Sequence, residues 1–118
     1  MLTILILCIA GLHLYFLWFE MFSWERHGRK IFGGRYGAEF FTQTKSMAAN
    51  QGIYNGFLAA GLIWSRLITD AYWRDHVALF FLGCIVVAGI VGAMTADRKI
   101  FFVQSVPALA AIGWWWIG

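Results

Sequence analysis

Residues 2–22 read LTILILCIAGLHLYFLWFEMF. At 1.5 Å per residue a helix of this length spans about 31 Å, the thickness of a bilayer's hydrocarbon core. Three further apolar stretches follow at residues 46–64, 77–95 and 100–117. Backbone N–H and C=O groups in lipid find no water, so segments of this kind must satisfy themselves as helices. The expected fold is therefore all-α: an integral membrane four-helix bundle with helices over about 2–22, 46–64, 77–95 and 100–117, forming one domain over residues 1–118. No basic residue precedes the first run and no Ala-x-Ala pattern follows it, so it is read as a retained helix and not as a signal peptide.

Composition agrees with this reading. Of 118 residues, 61% are hydrophobic and 13% charged, against about 25% charged in soluble domains. The formal net charge is +3, and its distribution predicts orientation. Arg26, Arg29, Lys30, Arg35 and Lys45 lie between the first two runs, and Arg98 and Lys99 between the last two. Only Arg66 and Arg74 lie in the middle connection. Seven basic residues against two put the first and third connections in the cytoplasm and both termini outside. Trp64, Tyr72, Trp73 and Trp114–Trp116 then fall at the outer interface and Trp24 at the inner one. The basic cluster of the first connection, which also holds the Gly33-Gly34 pair, is expected to meet anionic headgroups. A short interfacial helix is expected from Ala38 to Lys45. Nucleic acid is not an expected partner, because no soluble basic surface is available.

The ionisable groups inside the first run set the functional question. His13 and Glu20 are seven residues apart, about 20° apart around a helix and roughly 10 Å along it. Such groups cost about 2.5–3.5 kcal/mol in a membrane helix and normally face protein or a wet cavity. For Glu20 the alternative is a carboxylate snorkelling to water, or paired with Arg26 or Arg29; for His13 it is a hydrogen-bonded structural histidine. The second run opens with Asn50, Gln51, Tyr54 and Asn55, and the fourth carries Gln104, Ser105 and Pro107. The amides either bind a ligand or act as interhelical glue. Pro107 frees the carbonyl of Val103, which Ser105 or Gln104 is placed to satisfy. Glu20, Asn50–Asn55 and Gln104 fall in the same cytoplasmic third of the membrane, and together with His13 they predict a polar pocket open to the cytoplasm. Gly52, Gly56 and Ala60 form a small-residue face for close helix packing and offer a route to homo-oligomerisation.

Residues 1–118 resemble the small bacterial integral membrane proteins of the domain-of-unknown-function family numbered 1304. The resemblance rests on His13-x6-Glu20 with Met21-Phe22 and Trp24, on Gly28-Arg29-Lys30-x-Phe32, on the stretch from Ala49 to Leu62, and on Gln104-x2-Pro107-Ala108. It implies a four-helix membrane protein of about this size and supplies no activity.

Three functions follow as expectations. The first is binding or transport of a small polar or amphipathic ligand at His13, Glu20, Asn50, Gln51, Tyr54, Asn55 and Gln104. The second is a membrane enzyme, isomerase-like, using His13 or Glu20 as acid or base on a lipid-soluble substrate. The third is a structural accessory subunit. No nucleotide loop, nucleophile elbow, haem signature or zinc pattern occurs, so no cofactor or metal is expected.

Overall fold

The computed structural model describes residues 1–32 and 34–118; of Phe32 only the backbone is described, and Gly33 of the predicted glycine pair lies outside the described residues. Among the described residues every regular element is helical: α1 (Leu2–Phe22), α2 (Trp24–Phe32), α3 (Ala38–Gln43), α4 (Lys45–Leu67), α5 (Ala71–Thr95), a π-helical turn at Phe101–Ser105, and α6 (Val106–Ile117). Among the described residues there are six α-helices: counterparts of the four apolar runs, the short helix expected after Ala38, and α2. Among the described residues two helices, α1 and α5, are long and apolar enough to cross a membrane. Phe101–Ile117 is apolar but shorter. Lys45, Asn50, Gln51, Asn55 and Arg66 keep α4 out of that class despite its 23 residues.

The helix missed in the sequence is α2. Ser23 bends the chain after α1, and its carbonyl accepts the N–H of His27 at 2.8 Å, the first bond of the new helix. Glu25 in the first turn and Arg29 and Lys30 in the last complement the helix dipole. An average over hydropathy passes over a nine-residue amphipathic helix of this kind. α5 begins six residues before the predicted start because Asp70 caps it, accepting the Trp73 N–H at 3.0 Å. Tyr72 and Trp73 thus belong to the helix.

The chain divides into two compact units, Gly11–Phe57 and Met1–Ala10 with Leu58–Gly118. In the second, α1, α4, α5 and α6 all contribute to one core: Ile6, Ile9, Ala10, Ala59, Leu62, Ala78, Leu82, Ile85, Ala108 and Ala111. Half of these are alanines, which lets backbones approach closely. Gly61 takes the Phe81 ring, Gly89 takes Ser105, and Gly92 takes Ile100. The π-helical turn was not foreseen. There the Val106 N–H reaches back to the Phe101 carbonyl, five residues away. Ser105, fully buried, donates its hydroxyl to the Val86 carbonyl of α5 at 2.9 Å and not to Val103.

The same unit holds a knot of charges. Arg66, its side chain only 7% exposed, donates to the Arg74 carbonyl at 3.0 Å, to Thr3 at 3.2 Å and to Asp75 at 3.4 Å. Arg74 reaches the same Asp75 oxygen at 3.2 Å. Spacing alone marks these arginines as surface charges; their shared carboxylate comes from the turn that brings α5 back beside α4.

In the unit Gly11–Phe57, α2 and α3 clasp each other around Phe41, which is fully buried. Gly28 leaves room for that ring: a Cβ there would come within 2.7 Å of it. Trp24 meets Phe41 edge-on at 5.4 Å and donates its indole N–H to Thr44 at 2.9 Å. Glu25 accepts from Thr42 at 3.1 Å and pairs with Lys45 at 3.3 Å.

Candidate functional site

Small residues bring α4 against α1. A Cβ on Gly52 would come within 2.7 Å of Met21, 3.2 Å of the Leu17 carbonyl and 3.3 Å of the Glu20 Cβ, while Gly56 faces Leu17. The glycine face of α4 is thereby occupied by the chain's own α1. Ala60, one turn on, is exposed.

This close approach brings two polar side chains together. The Asn55 amide, on a residue only 4% exposed, donates from Nδ2 to Glu20 Oε1 at 2.5 Å. No ion pair joins Glu20 to Arg26 or Arg29 among the described residues, and both arginines are exposed. The carboxyl group in this apolar helix therefore has a neutral amide as its partner. An amide N–H can donate to a carboxylate and, less strongly, to the carbonyl oxygen of a carboxylic acid, so the contact is available in either protonation state.

His13 lies two turns before Glu20 on α1 and is fully buried, its ring edge-on to Phe16 at 5.3 Å. Asn50, Gln51 and Tyr54 have a different placement. All three are exposed, and Tyr54 meets Phe57 at 5.8 Å. Of the four polar residues opening α4, Asn55 is the one turned to Glu20. Gln104 lies on the π-helical turn, in the other compact unit.

One residue of this unit escaped the sequence reading. His27, on α2, packs its ring 5.0 Å from that of Trp18, and its Nδ1 is buried without a hydrogen-bond partner. Its place three residues after Trp24 and four before Ile31, on the apolar side of an amphipathic helix, is the signal that points to it. An open cleft of about 670 Å³ is lined by Met1, Leu2, Asp75, Trp114, Trp115, Trp116 and Gly118, and by none of the predicted site residues. Among the described residues no three His, Cys, Asp or Glu side chains come close enough to share a metal ion. Cys8 and Cys84 are both free thiols.

Comparison with known proteins gives a family and no chemistry. The family model described as "Protein of unknown function (DUF1304)" matches residues 7–116. The uncharacterised protein YpaA of Lactococcus lactis subsp. lactis (strain IL1403) is 28% identical over 71 residues, which are 60% of this chain and 58% of YpaA. The chain thus spans less than two thirds of the length of that curated relative. No solved structure matches.

Proposed function

The chain belongs to the DUF1304 family of proteins of unknown function, and we propose that it is an integral membrane four-helix protein that binds or transports a small polar or amphipathic ligand at Glu20. In this reading α1, α4, α5 and the Phe101–Ile117 segment cross a bacterial inner membrane with both termini outside. The short α2 and α3 lie at the cytoplasmic surface. Two apolar helices of spanning length and the core shared by four helices support that arrangement.

The observation that carries the functional reading is the Asn55–Glu20 hydrogen bond. A carboxyl group in an apolar helix is costly unless it has a task or a compensating charge. Here its bonded partner is neutral, so Glu20 is free to gain a proton or to meet a cationic group without first giving up a salt bridge. His13, buried on the same stripe, supplies a second proton-exchanging group deeper in the helix. Asn50, Gln51 and Tyr54 are exposed on α4 and stand outside this pair.

The test uses the purified full-length protein in liposomes and a graded series of primary to quaternary alkylammonium ions. Binding at a hundredfold excess over Kd stabilises a protein by about 2.7 kcal/mol, readily seen as a rise in melting temperature. At least one ion of the series should raise the melting temperature of the wild type and leave Glu20→Gln unmoved. Equal shifts in both proteins, or none in either, would remove Glu20 from the site.

A further inference from the structure

The exposed side of α4 carries a pattern that the Glu20 reading leaves unused. Met47, Asn50, Tyr54 and Phe57 are separated by three, four and three residues, the heptad spacing of a coiled-coil seam. At 100° per residue they fall within an arc of about 80° and run roughly 15 Å along the helix. All four are exposed, Met47 at 73%, Tyr54 at 55% and Phe57 at 60%. Gln51 flanks the seam and is exposed as well. Ala48, Gly52 and Asn55, buried, occupy the opposite side of the helix. The stripe is thus distinct from the surface that packs on α1.

Its polarity is out of place for a lipid-facing surface. Between Val77 and Met94 the exposed residues of α5 are Phe80, Val87, Ile90, Val91 and Met94, all apolar. On α4, by contrast, two side-chain amides and a phenol project outward, and the described residues give Asn50 and Gln51 no hydrogen-bond partner in the chain. In hydrocarbon each unsatisfied polar group costs several kcal/mol.

We infer that the Met47–Asn50–Tyr54–Phe57 stripe of α4 is a dimer interface, and that its partner is the same stripe of a second copy of this chain. Asn, Gln and Tyr each donate and accept, so a two-fold axis along the stripe lets every such group meet its own symmetry mate. Met47 and Phe57 at the two ends supply apolar knobs, and an asparagine at a seam position fixes register, as it does in coiled coils. This interface replaces the glycine face as the route to oligomers, since Gly52 and Gly56 are covered by α1. The inference rests on the membrane reading given above; it does not depend on Glu20 binding anything.

Cysteine cross-linking of the full-length protein in liposomes tests it, in a background carrying Cys8→Ser and Cys84→Ser. Met47→Cys and Phe57→Cys keep all three polar groups of the seam and bring each new thiol to its symmetry mate. Leu14→Cys on α1 and Val87→Cys on α5 place thiols on other exposed faces. Oxidation should give disulfide-linked dimers for the two seam variants and not for the two controls. Adding Asn50→Ala to the Met47→Cys protein should slow cross-linking about threefold, the effect of one interhelical hydrogen bond in a membrane. Protein that floats with the vesicles but cross-links no better at Met47→Cys than at Leu14→Cys overturns the interface and leaves the membrane reading standing. In that case the stripe faces lipid headgroups, a ligand or a different protein. Protein that fails to float overturns both.

Discussion

Asn55 and Glu20 are 35 positions apart in the chain, and the hydrogen bond between them is within reach only because Gly52 and Gly56 hold α4 close to α1. The pair predicts unequal effects for residues that look alike in the sequence. Asn55→Ala removes the donor and leaves a half-buried carboxyl oxygen unsatisfied, which costs about 1–3 kcal/mol. Asn50→Ala, in protein dispersed to monomers by detergent, removes an exposed amide and should cost less than about 0.5 kcal/mol. Unfolding followed by tryptophan fluorescence distinguishes the two. The double variant Glu20→Leu, Asn55→Leu should lose less than its two singles added together, because each single strands the other's partner. Additive losses would mean that the two side chains do not interact. Four polar residues between positions 50 and 55 are legible as a cluster, but which of them turns inward is not. That depends on rotation about the α4 axis, which is set by the Leu17 and Met21 side chains lying in the glycine notches. His27 was hidden for a related reason: its surroundings come from Trp18, nine residues earlier, across the bend at Ser23.

Among the elements, the long apolar helices are plain in the sequence and the devices between them are not. α1 was placed to the residue because a continuous apolar run bounded by Ser23 leaves no other choice. The start of α5 at Asp70 and the π-helical turn before Pro107 depend on individual hydrogen bonds that hydropathy does not record. The α2–α3 clasp is the element with a built-in pH dependence. Its Glu25 carboxyl is held below the ordinary value of 4.5, chiefly by the bond to Lys45 and next by that to Thr42. A group whose pKa is depressed on folding stabilises the fold fully above its unfolded value, and that contribution disappears as the pH falls through the folded one. Amide hydrogen exchange in Ala38–Gln43, corrected for its intrinsic pH dependence, should therefore be steady from neutral pH down to about 4.5 and accelerate below it. Glu25→Gln should exchange faster at neutral pH and show no such acceleration. A variant that retained the acid-induced loosening would assign it to another carboxyl group.

Over the whole molecule, the proposed membrane arrangement takes its orientation from the distribution of charge, and the knot at Arg66 bears on the count. The two basic residues assigned to the outer side, Arg66 and Arg74, both contact Asp75 and are tied into the fold. The seven assigned to the inner side include Arg26, Arg29 and Lys30, all exposed and spaced three and four apart on one face of α2. These are free to meet anionic headgroups at about 1 kcal/mol each. The orientation bias should thus reside largely in the first connection. Alkaline phosphatase fused after Gly118 should be active, as it is only outside the cytoplasm, and a fluorescent protein inserted at Asp97 should fold and fluoresce. Replacing Arg26, Arg29, Lys30 and Arg35 by serine leaves three inner basic residues against two outer ones, a difference too small to fix one orientation. Both reporters should then give signal from a mixed population. If that variant keeps the wild-type pattern, the α2 cluster does not orient the chain, and its exposed basic face would need another partner. If the wild type itself shows phosphatase activity at Asp97 and none after Gly118, the orientation is the reverse of the one proposed, and the mouth of any site at Glu20 opens outside the cell.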